Sequence, residues 1–138
     1  MRLLATVSLL VIAIVGCQPT EPTSQDRTAT AGTYVLRTLN DTAPPYVVLR
    51  GNTYAIEILY DTLALSADGT YRGLARYKRT NTDLTSSFAS DTVKGTWLIL
   101  GSTVSFKAST GDQSQATSTV SSTKLTVAGG GIVSVYSK

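Results

Sequence analysis

The side chains that most often carry out chemistry are few in this chain. It contains no His and a single Cys, Cys17. Without these residues the usual pairs of nucleophile and general base cannot be assembled, and zinc sites built from Cys and His are excluded. No Gly-rich phosphate loop followed by Lys is present. We therefore expect no catalytic residue, no metal ligand and no cofactor, and we predict that the protein is not an enzyme.

The nine carboxylates are scattered along the chain. Glu57 and Asp61 are the pair closest to an acid–base arrangement, because they share the same parity on one predicted strand. Four residues of extended chain separate them by roughly 13 Å, beyond the roughly 9.5 Å that glycosidase carboxylates tolerate. We interpret them as solvated strand charges or as partners of a cross-strand cation such as Arg37.

The chemistry of Cys17 is indicated by the residues before it. Arg2 is followed by an apolar run from residue 3 to residue 15 and then by the small residue Gly16, which is the layout of a secretory signal. The run is too short to span a bilayer, which needs about 20 residues. The stretch Ile14-Val15-Gly16-Cys17 resembles the bacterial lipobox. The resemblance implies that residues 1–16 are removed and that Cys17 is lipidated; an ordinary signal peptide with an incidental Cys, or a buried N-terminal strand, is the alternative.

Such a lipid would anchor the chain to a membrane, since each buried methylene contributes about 0.8 kcal/mol and two or more acyl chains give stable attachment. Gln18 follows the Cys. By resemblance to the sorting rule of double-membrane bacteria, a residue other than Asp implies the outer membrane, facing the periplasm. Residues 17–31 contain Pro, Ser, Thr and charge but little apolar bulk, so we predict that they form a flexible tether.

The charge balance argues against nucleic acid as a partner. The chain has 12 Lys and Arg and 9 Asp and Glu; removing residues 1–16 deletes Arg2 and leaves 11 minus 9, or +2, which is too small for a nucleic-acid footprint. Three cations, Arg72, Arg76 and Lys78, share one face of a predicted strand. They are a candidate interaction surface for anionic headgroups or an envelope protein partner, or else a solvated outer face.

From Gly32 onward the pattern indicates strands throughout, because short alternating apolar runs are separated by turn residues. The abundance of Thr suits half-exposed strands. The apolar positions change phase within the third run, and we predict a bulge near residues 60–62. The predicted strands cover 33–39, 46–49, 53–65, 70–79, 84–100, 103–108, 114–120, 123–128 and 132–137.

This pattern predicts one all-β domain over residues 32–138. About eight principal strands joined by short connections favour an antiparallel up-and-down β-barrel, whose closure removes exposed sheet edges. A β-sandwich is the alternative.

A short motif of Gly, Thr and an aromatic residue recurs at 32–34, 69–71 and 95–97. Together with the segments 65–71, 101–106 and 122–127, it resembles the bacterial lipocalin-like lipoproteins. Where lipocalins have Gly-x-Trp near the first strand, this sequence has Gly32-x-Tyr34. The resemblance implies an eight-stranded barrel that holds a small apolar ligand.

The alternating apolar residues could line a ligand cavity or simply fill the barrel, since eight-stranded barrels do either. We therefore expect a membrane-anchored, lipocalin-like lipoprotein that binds a small hydrophobic ligand. The alternative is a structural or protein-interaction lipoprotein of the cell envelope with a filled barrel. The candidate ligand-binding residues are Tyr34, Leu36, Ile56, Ile58, Trp97 and Phe106.

Overall fold

The computed structural model describes residues 24–110 and 117–138. Cys17, the predicted signal peptide at residues 1–16 and the predicted start of the seventh strand at residue 114 lie outside these residues. The elements are α1 (Ser24–Thr30), β1 (Gly32–Leu39), β2 (Tyr46–Arg50), β3 (Tyr54–Leu65), β4 (Thr70–Asn81), β5 (Ser86–Leu100), β6 (Thr103–Ala108), β7 (Thr117–Ser121), β8 (Lys124–Gly129) and β9 (Ile132–Ser137). The strand ends match the predicted ones to within two residues, except at the start of β7.

The strands form one antiparallel sheet in the order β1-β9-β8-β7-β6-β5-β4-β3-β2, and a further pairing of β1 with β3 closes it. Eight strands therefore make a closed barrel, and β2 is an extra strand on β3. The predicted antiparallel barrel is confirmed, and its architecture is lipocalin-like.

The two ends of the barrel differ. At the end called here the closed end, Gly32 of β1 pairs with Leu65 of β3. At the opposite end, called here the mouth, β1 no longer borders β3, and Arg50 of β2 pairs with Ala55 instead.

A bulge in β3 accounts for the phase change seen in the sequence. The register between β3 and β4 shifts between Ile58 and Tyr60, so Leu59 is the extra residue. This lies one residue before the predicted position. Ile58 is buried before the bulge, and Leu65 is buried after it at the opposite parity. The bulge thus allows one long strand to keep an apolar inner face while it bends.

The closed end is filled with aromatic side chains. Each Gly-Thr-aromatic motif turns its ring inward, so that Tyr34, Tyr71 and Trp97 all belong to the core. Trp97 is 1% exposed, and its indole Nε1 donates a hydrogen bond to the carbonyl oxygen of Ser66 at 3.0 Å. A buried Trp needs such a partner for its N–H. Gly95 makes room for this packing, because a Cβ there would collide with the Lys107 carbonyl and the Tyr71 ring.

The helix α1 corrects the prediction that residues 17–31 form a flexible tether throughout, because residues 24–30 are helical. The Tyr34 hydroxyl donates to the Thr30 carbonyl at 2.7 Å, and Lys138 Nζ donates to the Ala29 carbonyl at 3.0 Å. Both partners lie at the closed end. The helix is therefore ordered by docking on the barrel, which the composition of the segment does not show. Within 24–110 and 117–138, no helix has the length and apolar character needed to cross a membrane.

Candidate functional site

At the mouth, four strands extend beyond the closed part of the barrel. Pairing of β5 with β6 covers only Gly95 to Leu100, whereas β4 pairs with β5 back to Ser86. Among the described strands, residues 86–93 therefore have a neighbour on one side only. We call residues 46–50, 54–58, 77–81 and 86–93 the mouth sheet.

A cavity of about 400 Å³ lies on the inner face of the mouth sheet. Its size falls in the range of about 300–1,000 Å³ that small-molecule sites occupy. Its wall is mostly apolar, with one cation, one carboxylate and two hydroxyl groups. The lining residues are Val48, Leu49, Ile56, Tyr77, Arg79, Ser87, Ala89 and Asp91.

The cross-strand register explains how these residues come together. Ile56 is opposite Arg79, and Arg79 is opposite Ser87 on the next strand. In the adjacent row Tyr77 is opposite Ala89. Side chains opposite one another on neighbouring strands share a face, so three strands contribute to one wall.

The cavity exists because the inward side chains of β5 are small there. Ser87 and Ala89 have the same parity as Trp97, which fills the closed end of the same strand. At the mouth the inward positions of β5 hold Ser and Ala, whereas at the closed end they hold Trp and Ile. The small side chains leave a space, and no neighbouring described strand covers it. This change of side-chain size along one parity was the signal in the sequence that could have identified the site.

A polar group of side chains lies at the inner end of the cavity. Asp61 and Asp91 both pair with Ala75, from either side of β4. The Tyr136 hydroxyl donates a hydrogen bond to Asp61 Oδ2 at 2.7 Å. Burial raises the pKa of Asp61, while the hydrogen bonds from Tyr136 and the Thr62 backbone lower it in part. Burial also raises the pKa of Tyr136, and the Asp61 charge adds to this.

Tyr77 connects this polar group to the cavity that it lines. Burial raises the pKa of Tyr77, and the charges of Asp61 and Asp91 raise it further, so its hydroxyl stays protonated at neutral pH. The Asp91 carboxylate has no hydrogen-bond or ion-pair partner among the described residues. An apolar wall with a few polar groups at one end is the usual character of a site for a small organic molecule.

The outer rim of the cavity carries the cation Arg79. Its guanidinium stacks at 4.3 Å from the centre of the Tyr54 ring, and Nε donates to Asn81 Oδ1 at 3.2 Å. These contacts hold the charge at the rim, away from the apolar wall.

The bulge in β3 separates the two carboxylates that the sequence placed on one strand face. Asp61 points into the barrel, whereas Glu57 lies outside, 4.0 Å from Lys78 Nζ. The suggested cross-strand partner Arg37 instead donates to Ser137 Oγ. No acid–base pair results from Glu57 and Asp61, and no cluster of three or more possible metal-ligating side chains occurs within the described ranges.

The six candidate ligand-binding residues fall into three groups. Ile56 lines the mouth cavity. Phe106 is half-buried, with its ring edge-on to Tyr71 at 5.1 Å. The remaining four are buried in the core: Tyr34, Leu36, Ile58 and Trp97. The interior at the closed end is thus filled by side chains.

The three candidate surface residues lie on the outer face of β4. Arg72 and Arg76 are exposed and Lys78 is half-exposed. The Arg76 guanidinium lies 5.4 Å from the centre of the exposed Phe88 ring. All three cations therefore lie on the same outward face of β4.

Comparison of the chain with protein-family models, curated proteins and solved structures gives no significant match. Its function must therefore be inferred from the geometry of the barrel and its mouth.

Proposed function

We propose that this protein is a membrane-anchored lipoprotein whose barrel binds a small apolar molecule in the mouth cavity. The observation that carries the binding role is the cavity of about 400 Å³, lined mainly by apolar side chains and open to solvent. Exposed apolar surface of this kind is costly in water and is commonly a ligand or partner site.

The expected affinity is modest. Each methylene that enters the cavity contributes about 0.8 kcal/mol, so eight to ten methylenes contribute roughly 6–8 kcal/mol. Association itself costs several kcal/mol. A linear apolar ligand should therefore bind weakly, with Tyr77 and Asp91 selecting the polar group at its end.

The position of α1 fits the proposed anchor. The helix that contains Ser24, the first described residue, docks at the closed end, whereas the cavity opens at the mouth. Lipid on Cys17 would hold the closed end nearer the membrane and leave the cavity open to the aqueous compartment, in this proposal the periplasm.

Binding can be tested with decanol, a neutral apolar ligand, and a chain that begins at Gln18 and so keeps every helix and strand described above. Isothermal titration should show binding that Ala89→Trp weakens at least tenfold, because the indole would occupy the cavity. Ser90→Trp is the matched control, since Ser90 is adjacent on β5 but faces outward. Equal affinity in all three chains, or no binding, would contradict the ligand role.

The anchor is tested separately by replacing Cys17 with Ser in the full chain. We expect the unchanged chain to be processed before Cys17, to incorporate a labelled palmitate analogue and to fractionate with membranes. The Cys17→Ser chain should incorporate no label. Labelling that persists without Cys17 would refute the proposed site of lipidation.

A second candidate function, interaction with an envelope protein, is favoured by the edge of β5. Residues 86–93 pair only with β4 among the described strands, and Phe88 on this segment is 59% exposed. Free strand edges accept strands from other chains. Crosslinking in envelopes should give an adduct that Phe88→Lys abolishes and Leu98→Lys leaves unchanged, since Leu98 is similarly exposed but lies at the closed end, where β5 pairs with β6. Loss in both variants would argue against this edge.

A further inference from the structure

The outer surface of the barrel carries an uneven distribution of charge. The cations of β4, β5 and β6 that point outward form one face, called here the basic face. Three of the described carboxylates lie near it. Glu57 neutralises Lys78 at its mouth side, Asp68 accepts hydrogen bonds from Thr70 at its closed-end side, and Asp91 points inward toward the cavity. The basic face consists of Arg72, Arg76, Lys78, Lys94 and Lys107.

The centre of this face is a like-charged pair. Arg72 and Lys94 are directly opposite each other on β4 and β5, an arrangement that destabilises a sheet. Both are exposed, and neither side chain has a hydrogen-bond or ion-pair partner among the described residues. Within the part of the chain that the structure describes, the two cations therefore lie side by side without a carboxylate partner, and an anion at this position would stabilise them.

The surroundings of the pair suit a phosphate group. Two shallow grooves of about 500 and 480 Å³ border both Arg72 and Lys94. Hydroxyl groups provide most of the remaining polar lining, and hydroxyls and guanidinium groups both donate to phosphate oxygens. The hydroxyl-bearing residues are Ser66, Thr70, Tyr71, Thr92, Ser109 and Thr110. The hydroxyl of Thr70 already donates to Asp68 Oδ1, so the others are the available donors.

The basic face is also near the end of the barrel from which the proposed anchor leaves. Arg72 is two residues from the start of β4 at the closed end, and Lys107 pairs with Thr96 close to that end. The helix α1 contacts β5 at the same end. Six residues separate α1 from Cys17, and even a fully extended chain of that length reaches only about 25 Å. This step rests on the proposed lipid anchor.

We propose that the basic face binds the anionic phospholipid headgroups of the membrane to which the chain is anchored, with a headgroup phosphate between Arg72 and Lys94. The barrel then lies with β4–β6 toward the bilayer, and the mouth cavity opens beside the membrane. Each cation near an anionic surface strengthens binding about fivefold.

Vesicle co-sedimentation of the chain beginning at Gln18 tests this surface without the lipid on Cys17 and without any cavity ligand. We expect binding to vesicles of phosphatidylglycerol and phosphatidylcholine mixed 3:7, little binding to pure phosphatidylcholine, and weaker binding as salt is raised. Arg72→Gln combined with Lys94→Gln should lower the partition constant about thirtyfold.

The matched control is Arg50→Gln combined with Lys124→Gln. These two exposed cations lie on β2 and β8, so the variant has the same net charge but leaves the basic face intact. Its partition constant should stay within twofold of the parent chain. An equal loss in both double variants, or no preference for phosphatidylglycerol, would overturn the proposal. So would saturation by submillimolar inorganic phosphate, which would mark a soluble-anion site.

These outcomes are separate from those of the proposed function. Failure of vesicle binding leaves decanol binding and palmitate labelling untouched, and a chain that is not lipidated can still show the dependence on Arg72 and Lys94.

Discussion

The closed end and the mouth of this barrel are built from the same strands but differ in how they use them. Along β5, the inward residues Trp97 and Ile99 are almost fully buried, whereas Ser87 and Ala89 line a solvent-open cavity. Both halves alternate with period two. The difference shows that alternation makes a sheet face, while the size of the inward side chains and the number of neighbouring strands decide whether that face is filled.

This contrast separates stability from binding. The buried aromatic rings and the docked α1 are at the closed end, so most apolar surface is removed from water there. The mouth sheet has an unpaired edge and few buried side chains, and regions of this kind are usually the less stable part of a domain. Substitutions at the two ends should therefore have distinct consequences.

The largest expected effect is the loss of stability in Trp97→Ala. Removing a fully buried ring leaves a cavity and costs about 3–5 kcal/mol. Phe88→Ala at the mouth should change the free energy of unfolding by less than about 1 kcal/mol, because the ring is mostly exposed. Urea denaturation followed by circular dichroism measures both. Similar losses in the free energy of unfolding for the two variants would contradict the distinction between a filled end and an open end.

The next effect concerns the close packing at Gly95. Gly95→Ala would place a Cβ against the rigid backbone carbonyl of Lys107, so we expect a loss near the upper end of the roughly 1–3 kcal/mol that overpacking costs. Gly73→Ala is the comparison, since its Cβ would come closer than van der Waals contact only to a methyl group of Val93, which can rotate away. Thermal unfolding of the two variants should rank Gly95→Ala as the more damaging; the reverse order would contradict this packing.

The boundary between the two ends can be probed through Asp61. Its pKa is raised in the folded state by burial, so ionisation favours the unfolded chain. The parent chain should lose stability as pH rises from about 3.8 through the folded pKa of Asp61, and the loss should be constant above it. The stability of Asp61→Asn relative to the parent should therefore increase with pH over this window and then level off. Urea titrations between pH 3.5 and 7 test this; a relative stability that falls with pH would show that Asp61 is stabilised as a carboxylate.

The smallest effect is expected where α1 meets the closed end. Tyr34→Phe removes the hydrogen bond to the Thr30 carbonyl, for which a loss of about 0.5–1.5 kcal/mol is expected. Hydrogen exchange of amides 27–31 should speed up in this variant while the mouth sheet stays unchanged. Faster exchange of amides in the mouth sheet, with the amides of α1 unaffected, would show that this hydrogen bond does not stabilise α1.

Much of the architecture could be predicted from the sequence because it depends on local patterns. The alternating apolar runs and the turn residues between them located the strands, and the phase change in β3 located the bulge within one residue. The three Gly-Thr-aromatic motifs indicated strands but not which way their rings point, and only the structure places Tyr34, Tyr71 and Trp97 in the core.

The features that escaped prediction depend on the arrangement of strands in space. The mouth cavity arises because β5 extends beyond its pairing with β6, and no local sequence pattern shows over how many residues two strands pair. For this reason only Ile56 of the predicted ligand-binding residues lies in its wall. The helix α1 escaped for a similar reason, since the hydrogen bond from Lys138 to the Ala29 carbonyl joins residues 109 positions apart.

The most direct test of the role of the mouth is a nuclear magnetic resonance titration of the chain beginning at Gln18 with decanol. We predict saturable shifts of the amides of Ile56, Tyr77 and Ala89, with the indole N–H of Trp97 unmoved. Shifts centred on Trp97, or none at saturating decanol, would contradict the proposal that the ligand binds at the open end of a filled barrel.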